Sequence, residues 1–121
     1  MNIDILLSKL KDVCYDDIEV DDLLDSRDEE TFDSEWISTY NDVENMKRRY
    51  GYDEQQENEC SSVRETAFMI VCEACGGELA GYVSDDFGLI FDSQICGFEN
   101  EFLKKLINAY SQAIIPDGSI L

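Results

Sequence analysis

The sequence predicts an α+β fold: N-terminal helices, a small antiparallel sheet of three or more strands, and a C-terminal amphipathic helix. Three observations carry this reading. Apolar residues recur at helical spacing near both ends of the chain. Residues 66 to 72 are apolar on both faces, as in a central strand. Gly76-Gly77 follows soon after, a hairpin-turn signal. With 121 residues, 44% of them hydrophobic, the chain is expected to form one domain over 1–121 with a core of its own. Its helical, acidic part would span 1–52, and its sheet and last helix 63–121.

In chain order, Ile3, Leu6, Leu7, Leu10 and Val13 mark one face of a first helix, with Asn2 placed to cap it. The stretch from Asp16 to Asp33 follows, and its apolar residues fit either a short helix around Val20 to Asp25 or an ordered loop. The next helix is the best marked. Asp33 or Ser34 can cap it, Trp36, Tyr40, Val43, Met46 or Lys47, and Tyr50 step by threes and fours, and Lys47, Arg48 and Arg49 suit the negative end of its dipole. Gly51 is a natural terminator. Residues 52 to 62 are polar and aperiodic and read as a loop. Thr66 to Cys72, Glu78 to Val83 and Phe87 to Phe91 read as three strands, with turns at Gly76-Gly77 and Ser84-Asp85-Asp86. Phe98, Phe102, Leu106 and Tyr110 share a face of the closing helix, which ends before Pro116.

Charge dominates the composition: 28 Asp plus Glu against 9 Lys plus Arg, with no His, for a net charge of −19. Asp16, Asp17, Glu19, Asp21, Asp22, Asp25, Asp28, Glu29, Glu30 and Asp33 stand against Arg27 alone. Such a surface repels nucleic acid and anionic membranes, and it attracts and steers a basic protein. A charge run is usually just a solvated face. This net charge, however, far exceeds the magnitude of about 2 to 8 that keeps a small domain soluble. The expected partner is therefore a basic protein, with no nucleic acid and no membrane; monomer and homodimer both remain open.

Catalysis finds little support. Without His, the Ser-His and Cys-His nucleophile systems are excluded, and no phosphate-binding glycine loop is present. An EF-hand alternation begins at Asp17, Glu19 and Asp21, but Asp22 stands where the loop needs Gly and Asp28 where it needs Glu. Asp85-Asp86 is the one acid pair to weigh for catalysis or a divalent cation, and a turn is its plainer role. Cys72 and Cys75 form half of a zinc ribbon, but Cys14, Cys60 and Cys96 are single and no His completes a site. Five cysteines is an odd number, which rules out a complete internal disulfide set. With no leader-like segment after Met1 and no long apolar run, the expectation is a cytoplasmic protein with reduced thiols, no cofactor and no metal.

The aromatic residues read mainly as core, Phe68, Trp36 and Tyr40 among them. Tyr15 and Phe32 flank the acidic stretch, where anchors beside complementary charge suit an interface.

A small, acidic, His-free chain without a catalytic constellation resembles the immunity proteins encoded beside bacterial polymorphic or contact-dependent growth inhibition toxins. GELAGYVSDDFGLIFD, followed by FENEFLKKLINAY, is similar to small proteins of that kind. The resemblance implies a non-enzymatic antitoxin that covers the basic active-site cleft of a cognate toxin, often a nuclease. The contacts would come from the ten acids between Asp16 and Asp33, with Asp85 and Asp86 secondary. The alternatives are an acidic secretion chaperone and a nucleic-acid mimic that inhibits a DNA-binding protein. An enzyme acting through carboxylates ranks last.

Overall fold

The computed structural model describes residues 2–121, and among them it shows six α-helices and no β-strand. They are α1 (Ile3–Leu10), α2 (Val20–Asp28), α3 (Glu30–Tyr50), α4 (Glu54–Cys75), α5 (Gly77–Cys96) and α6 (Glu101–Ser111). Short 3-10 turns lie at Tyr15–Asp17 and Gly118–Ile120. The α+β expectation is thus corrected to an all-helical fold. The two supposed strands at 78 to 83 and 87 to 91 are consecutive stretches of α5, and the supposed turn Ser84-Asp85-Asp86 lies in its middle.

The reason is burial. Thirteen of the twenty residues of α5 are buried, because α3, α4, α1 and α6 all pack on it. A helix enclosed on every side is apolar all round, so its sequence loses the one-sided stripe that would reveal it. Over a few residues, such a run cannot be told from a buried strand. Leu79, Val83, Phe87 and Ile90 nevertheless keep steps of four, four and three, and all are fully buried. In α4 the same holds for Ala67 and Val71, while Phe68 and Met69 face outward. Phe68, expected in the core, is 37% exposed.

The polar stretch expected to be a loop forms the first turns of α4. Asp53 accepts from the Gln56 backbone N–H at 2.8 Å, and Gln56 returns a bond from the Asp53 N–H at 3.1 Å. This capping box satisfies donors that the first turn would otherwise leave unpaired. Helix α3 begins at Glu30, earlier than the expected cap at Asp33 or Ser34, and ends as expected at Gly51, whose φ is 79°. Asn2 caps α1 and Asn100 caps α6.

Gly76-Gly77 does make a sharp turn, but between α4 and α5, which pack side by side as a helical hairpin. Gly76 has φ 92° and ψ 173°, a combination open essentially to glycine alone. Gly77 is already helical, and a Cβ there would touch only Phe68 at 3.9 Å. Gly76→Ala should therefore lower unfolding free energy by about 1–3 kcal/mol in urea titration, and Gly77→Ala should be neutral or stabilising. Equal effects at the two positions would refute the junction geometry.

One hydrophobic cluster joins Leu6 and Leu10 of α1, Phe32 and Val43 of α3, the inner faces of α4 to α6, and Ile115 of the C-terminal segment. Phe32 meets Phe102 edge-on at 5.4 Å, and Phe87 meets Tyr110 at 4.9 Å.

Candidate functional site

In α2, Val20, Leu24 and Arg27 follow one another at helical spacing, and Leu24 and Arg27 are buried. The one cation of the acidic stretch is therefore turned inward. Its Nη2 and Nη1 donate to Asp86 Oδ1 and Oδ2 at 2.7 and 2.8 Å, a bidentate pair at 3% and 0% exposure. Trp36 Nε1 donates to Asp86 Oδ1 at 2.9 Å, and the Tyr110 hydroxyl to Oδ2 at 2.5 Å. Arg27 Nη1 also donates to the Pro116 carbonyl at 3.0 Å. Its guanidinium lies 4.8 Å from the Phe32 ring centroid and 5.4 Å from that of Tyr82. Burial by itself would lower the Arg27 pKa, and the Asp86 charge and hydrogen bonds more than offset it, so the net shift is upward. Burial, then the Asp86 charge, push the Tyr110 phenol well above its ordinary value.

Asp86 was expected as a surface contact or a turn residue. At 0% exposure it offers nothing to a partner, and it is the acceptor on which Arg27 of α2, Trp36 of α3 and Tyr110 of α6 converge. Asp85, its neighbour, points outward and pairs with Arg64 Nη2 at 2.6 Å. The ten acids from Asp16 to Asp33 are all exposed. Among the described residues none of them takes part in an ion pair; the ion pairs lie at Asp86, Asp92, Glu44, Asp85 and Glu101.

Beside this acidic face runs a groove along α3. Two adjoining cavities, of 220 and 340 Å³, share Trp36 and Asp85 as lining residues. The Trp36 and Tyr40 rings stack at 5.6 Å with an interplanar angle of 14°. Tyr40, expected in the core, is 43% exposed, and Ile37 is 48% exposed. Sequence periodicity placed both α3 aromatics on one face correctly but could not say that this face borders a groove. Gly88 forms part of the larger cavity's wall because the Arg64 stem crosses it; a Cβ at 88 would sit 2.8 Å from Arg64 Cδ. Of the two aromatics that flank the acids, Phe32 is core and Tyr15 is half-buried, its hydroxyl donating to the Leu10 carbonyl at 2.7 Å.

The larger cavity holds Lys47, Tyr52, Cys60 and Asp92, which need a chemical reading. Lys47 bonds Asp92 and Glu44, each at 3.2 Å, and lies 4.4 Å from the Tyr52 ring centroid; the Tyr52 hydroxyl donates to Asp92. Burial and then Asp92 push the Cys60 thiol up to about 11, and the same two causes raise the Tyr52 phenol. Both groups are held protonated at neutral pH, the opposite of what a nucleophile requires. Cys72 and Cys75 lie in the last turn of α4 rather than on a hairpin shoulder. The Cys75 thiol is raised by burial and by Asp16. Among the described residues no cluster of three or more Cys, Asp or Glu could hold a metal, and no helix is long and apolar enough to cross a membrane.

Together these features give a helical scaffold with an exposed acidic face that, among the described residues, makes no ion pair, and an aromatic groove beside it. The chain matches the model of the family described as Immunity protein PIM1 over residues 3–117, and it belongs to that family. It is an immunity protein, and its partner is a cognate toxin. No curated protein and no solved structure matches it.

Two measurements follow from the site. Removing one partner of the buried pair, as in Arg27→Met, should cost about 3–5 kcal/mol in urea unfolding. The double variant Arg27→Met/Asp86→Leu should cost less than the two single losses added together, because neither charge is left stranded; an additive or larger loss would contradict this. The second concerns alkaline pH. The folded state raises Tyr15 from 10.0 to about 12, through burial and then Cys75, and Cys60 from 9.0 to about 11. A raised pKa contributes stability that is whole below the unfolded value and lost as pH climbs through the folded one. The urea midpoint should therefore fall between about pH 9 and 12, and a rise across that window would count against these environments.

Proposed function

We propose that this immunity protein neutralises a basic toxin domain, a nuclease by preference, by covering its active-site cleft with the face that carries Asp16 to Asp33. The observation that supports this is the inward turn of Arg27. It leaves Asp16, Asp17, Glu19, Asp21, Asp22, Asp25, Asp28, Glu29, Glu30 and Asp33 exposed and, among the described residues, without an ion-pair partner. Asp85, exposed but paired with Arg64, is a secondary contact. A nuclease cleft holds phosphates with Lys and Arg, and carboxylates can take those positions in charge-assisted, bidentate pairs. The same charge steers the encounter from a distance. No catalytic step belongs to the immunity protein in this scheme.

Co-expression with the toxin domain encoded immediately upstream should restore growth and yield a 1:1 complex. Reversing Asp21, Asp22, Asp28 and Glu29 together should slow association about tenfold or more at moderate salt and flatten its salt dependence. Unchanged association would clear this face of the role, and failure of the unmodified protein to rescue would end the reading.

A further inference from the structure

We infer that the 220 Å³ cavity between α2, α3 and α5 is a socket for one arginine side chain of the toxin, an inference that rests on the basic-partner reading above. Its walls are Phe32, Trp36, Ile37 and Tyr82, and two carboxylates, Asp33 and Asp85, stand among them. Both carboxylates have capacity to spare. Among the described residues Asp33 has no ion-pair partner, and Arg64 engages only Oδ1 of Asp85. Among the described residues Arg27 is the one cation that lines the cavity, and Arg64 meets it at Asp85 Oδ1; each is matched by a carboxylate, so neither repels an incoming positive group as a free charge would. Tyr82 is held by its bond to Asp28 at 2.9 Å, and Trp36 by its bond to Asp86, so the aromatic walls are fixed before anything binds.

Arginine fits this chemistry better than the other occupants. A guanidinium is planar and weakly hydrated, stacks on aromatic faces and forks onto carboxylates, whereas a lysine ammonium is a compact, strongly hydrated point charge. An apolar side chain would fill the walls but strip water from the Asp33 carboxylate and from the free oxygen of Asp85. The socket also adjoins the acidic face through Asp28 and Asp33, so one basic surface can engage both.

Trp36 is the only tryptophan of the chain, so its emission reports on the socket directly. Hexa-arginine and hexa-lysine should be titrated against the full-length protein at equal ionic strength, together with Asp33→Asn/Asp85→Asn and the charge-matched control Glu73→Gln/Glu99→Gln, which lies outside the Asp16 to Asp33 face and lines neither cavity. All four positions are exposed, so the variants should fold; thermal melts verify it. Hexa-arginine should alter Trp36 emission and bind about threefold to tenfold tighter than hexa-lysine. The socket variant should lose that preference and the control should keep it. Equal affinity for the two peptides, a silent Trp36, or equal losses in the two variants would overturn the inference. The upstream toxin domain separates the two levels of the argument. If the unmodified protein does not bind it, the basic-toxin reading falls. If it binds, and the socket variant weakens binding no more than the control, the arginine socket alone falls.

Discussion

The Arg27–Asp86 pair is the interaction on which the rest of the molecule depends. It fastens α2 to α5, and through the same carboxylate it reaches α3 at Trp36 and α6 at Tyr110; the Pro116 carbonyl adds the C-terminal segment. Taking two charges out of water costs several kcal/mol each, and attraction repays this only when geometry is good and the remaining lone pairs are met. Here Asp86 accepts four hydrogen bonds, two on each oxygen, and the guanidinium lies between two rings. The arrangement ties α2, α3, α5, α6 and the C-terminal segment together through directed bonds, which a purely apolar contact of the same size would not supply.

The pair also shapes the surface. Helix α2 has only Leu24 as a fully apolar buried anchor, so Arg27 supplies much of what holds it down. In doing so it withdraws the sole cation from among ten carboxylates. Core and surface are thus coupled through one side chain: the bond that docks the helix is the one that leaves its outer face unneutralised. Trp36 carries the coupling further, since one bond to Asp86 sets the ring that separates the two cavities of the groove.

How far this was legible in the sequence follows from the same physics. Helices α1, α3 and α6 each have one wet face and one dry face, so their apolar spacing announced them. Helix α5 has almost no wet face, and its continuous apolar character imitated strands broken at Gly76-Gly77 and Ser84-Asp85-Asp86. Its length was the missing arbiter, because two short strands joined by a turn and one twenty-residue helix cover the same stretch; the first supposed strand, Thr66 to Cys72, lies in α4. The start of α4 was hidden by polarity, although Asp53 and Gln56 stand at capping-box spacing. As for the site, the ten acids were visible by count alone. The burial of Asp86 was not, since nothing local distinguishes it from Asp85. One clue was present in Arg27, which falls in register with Val20 and Leu24, on the face a helix would bury.

The concentration of charge on α2 and its flanks has an energetic consequence. Like charges so close together repel, and the repulsion acts on a helix that is anchored by few apolar contacts. The free protein resists it with the buried pair and the screening of salt. A basic partner removes the repulsion at its source, because each cation that meets a carboxylate relieves the neighbouring carboxylates as well. Binding and folding of α2 are therefore linked: whatever binds the folded face stabilises it by mass action. On the function proposed above, an acidity excessive for solubility is intelligible as stability held in reserve for the complex. The device requires that no cation of the chain itself neutralise the face beforehand, and the inward turn of Arg27 meets that requirement.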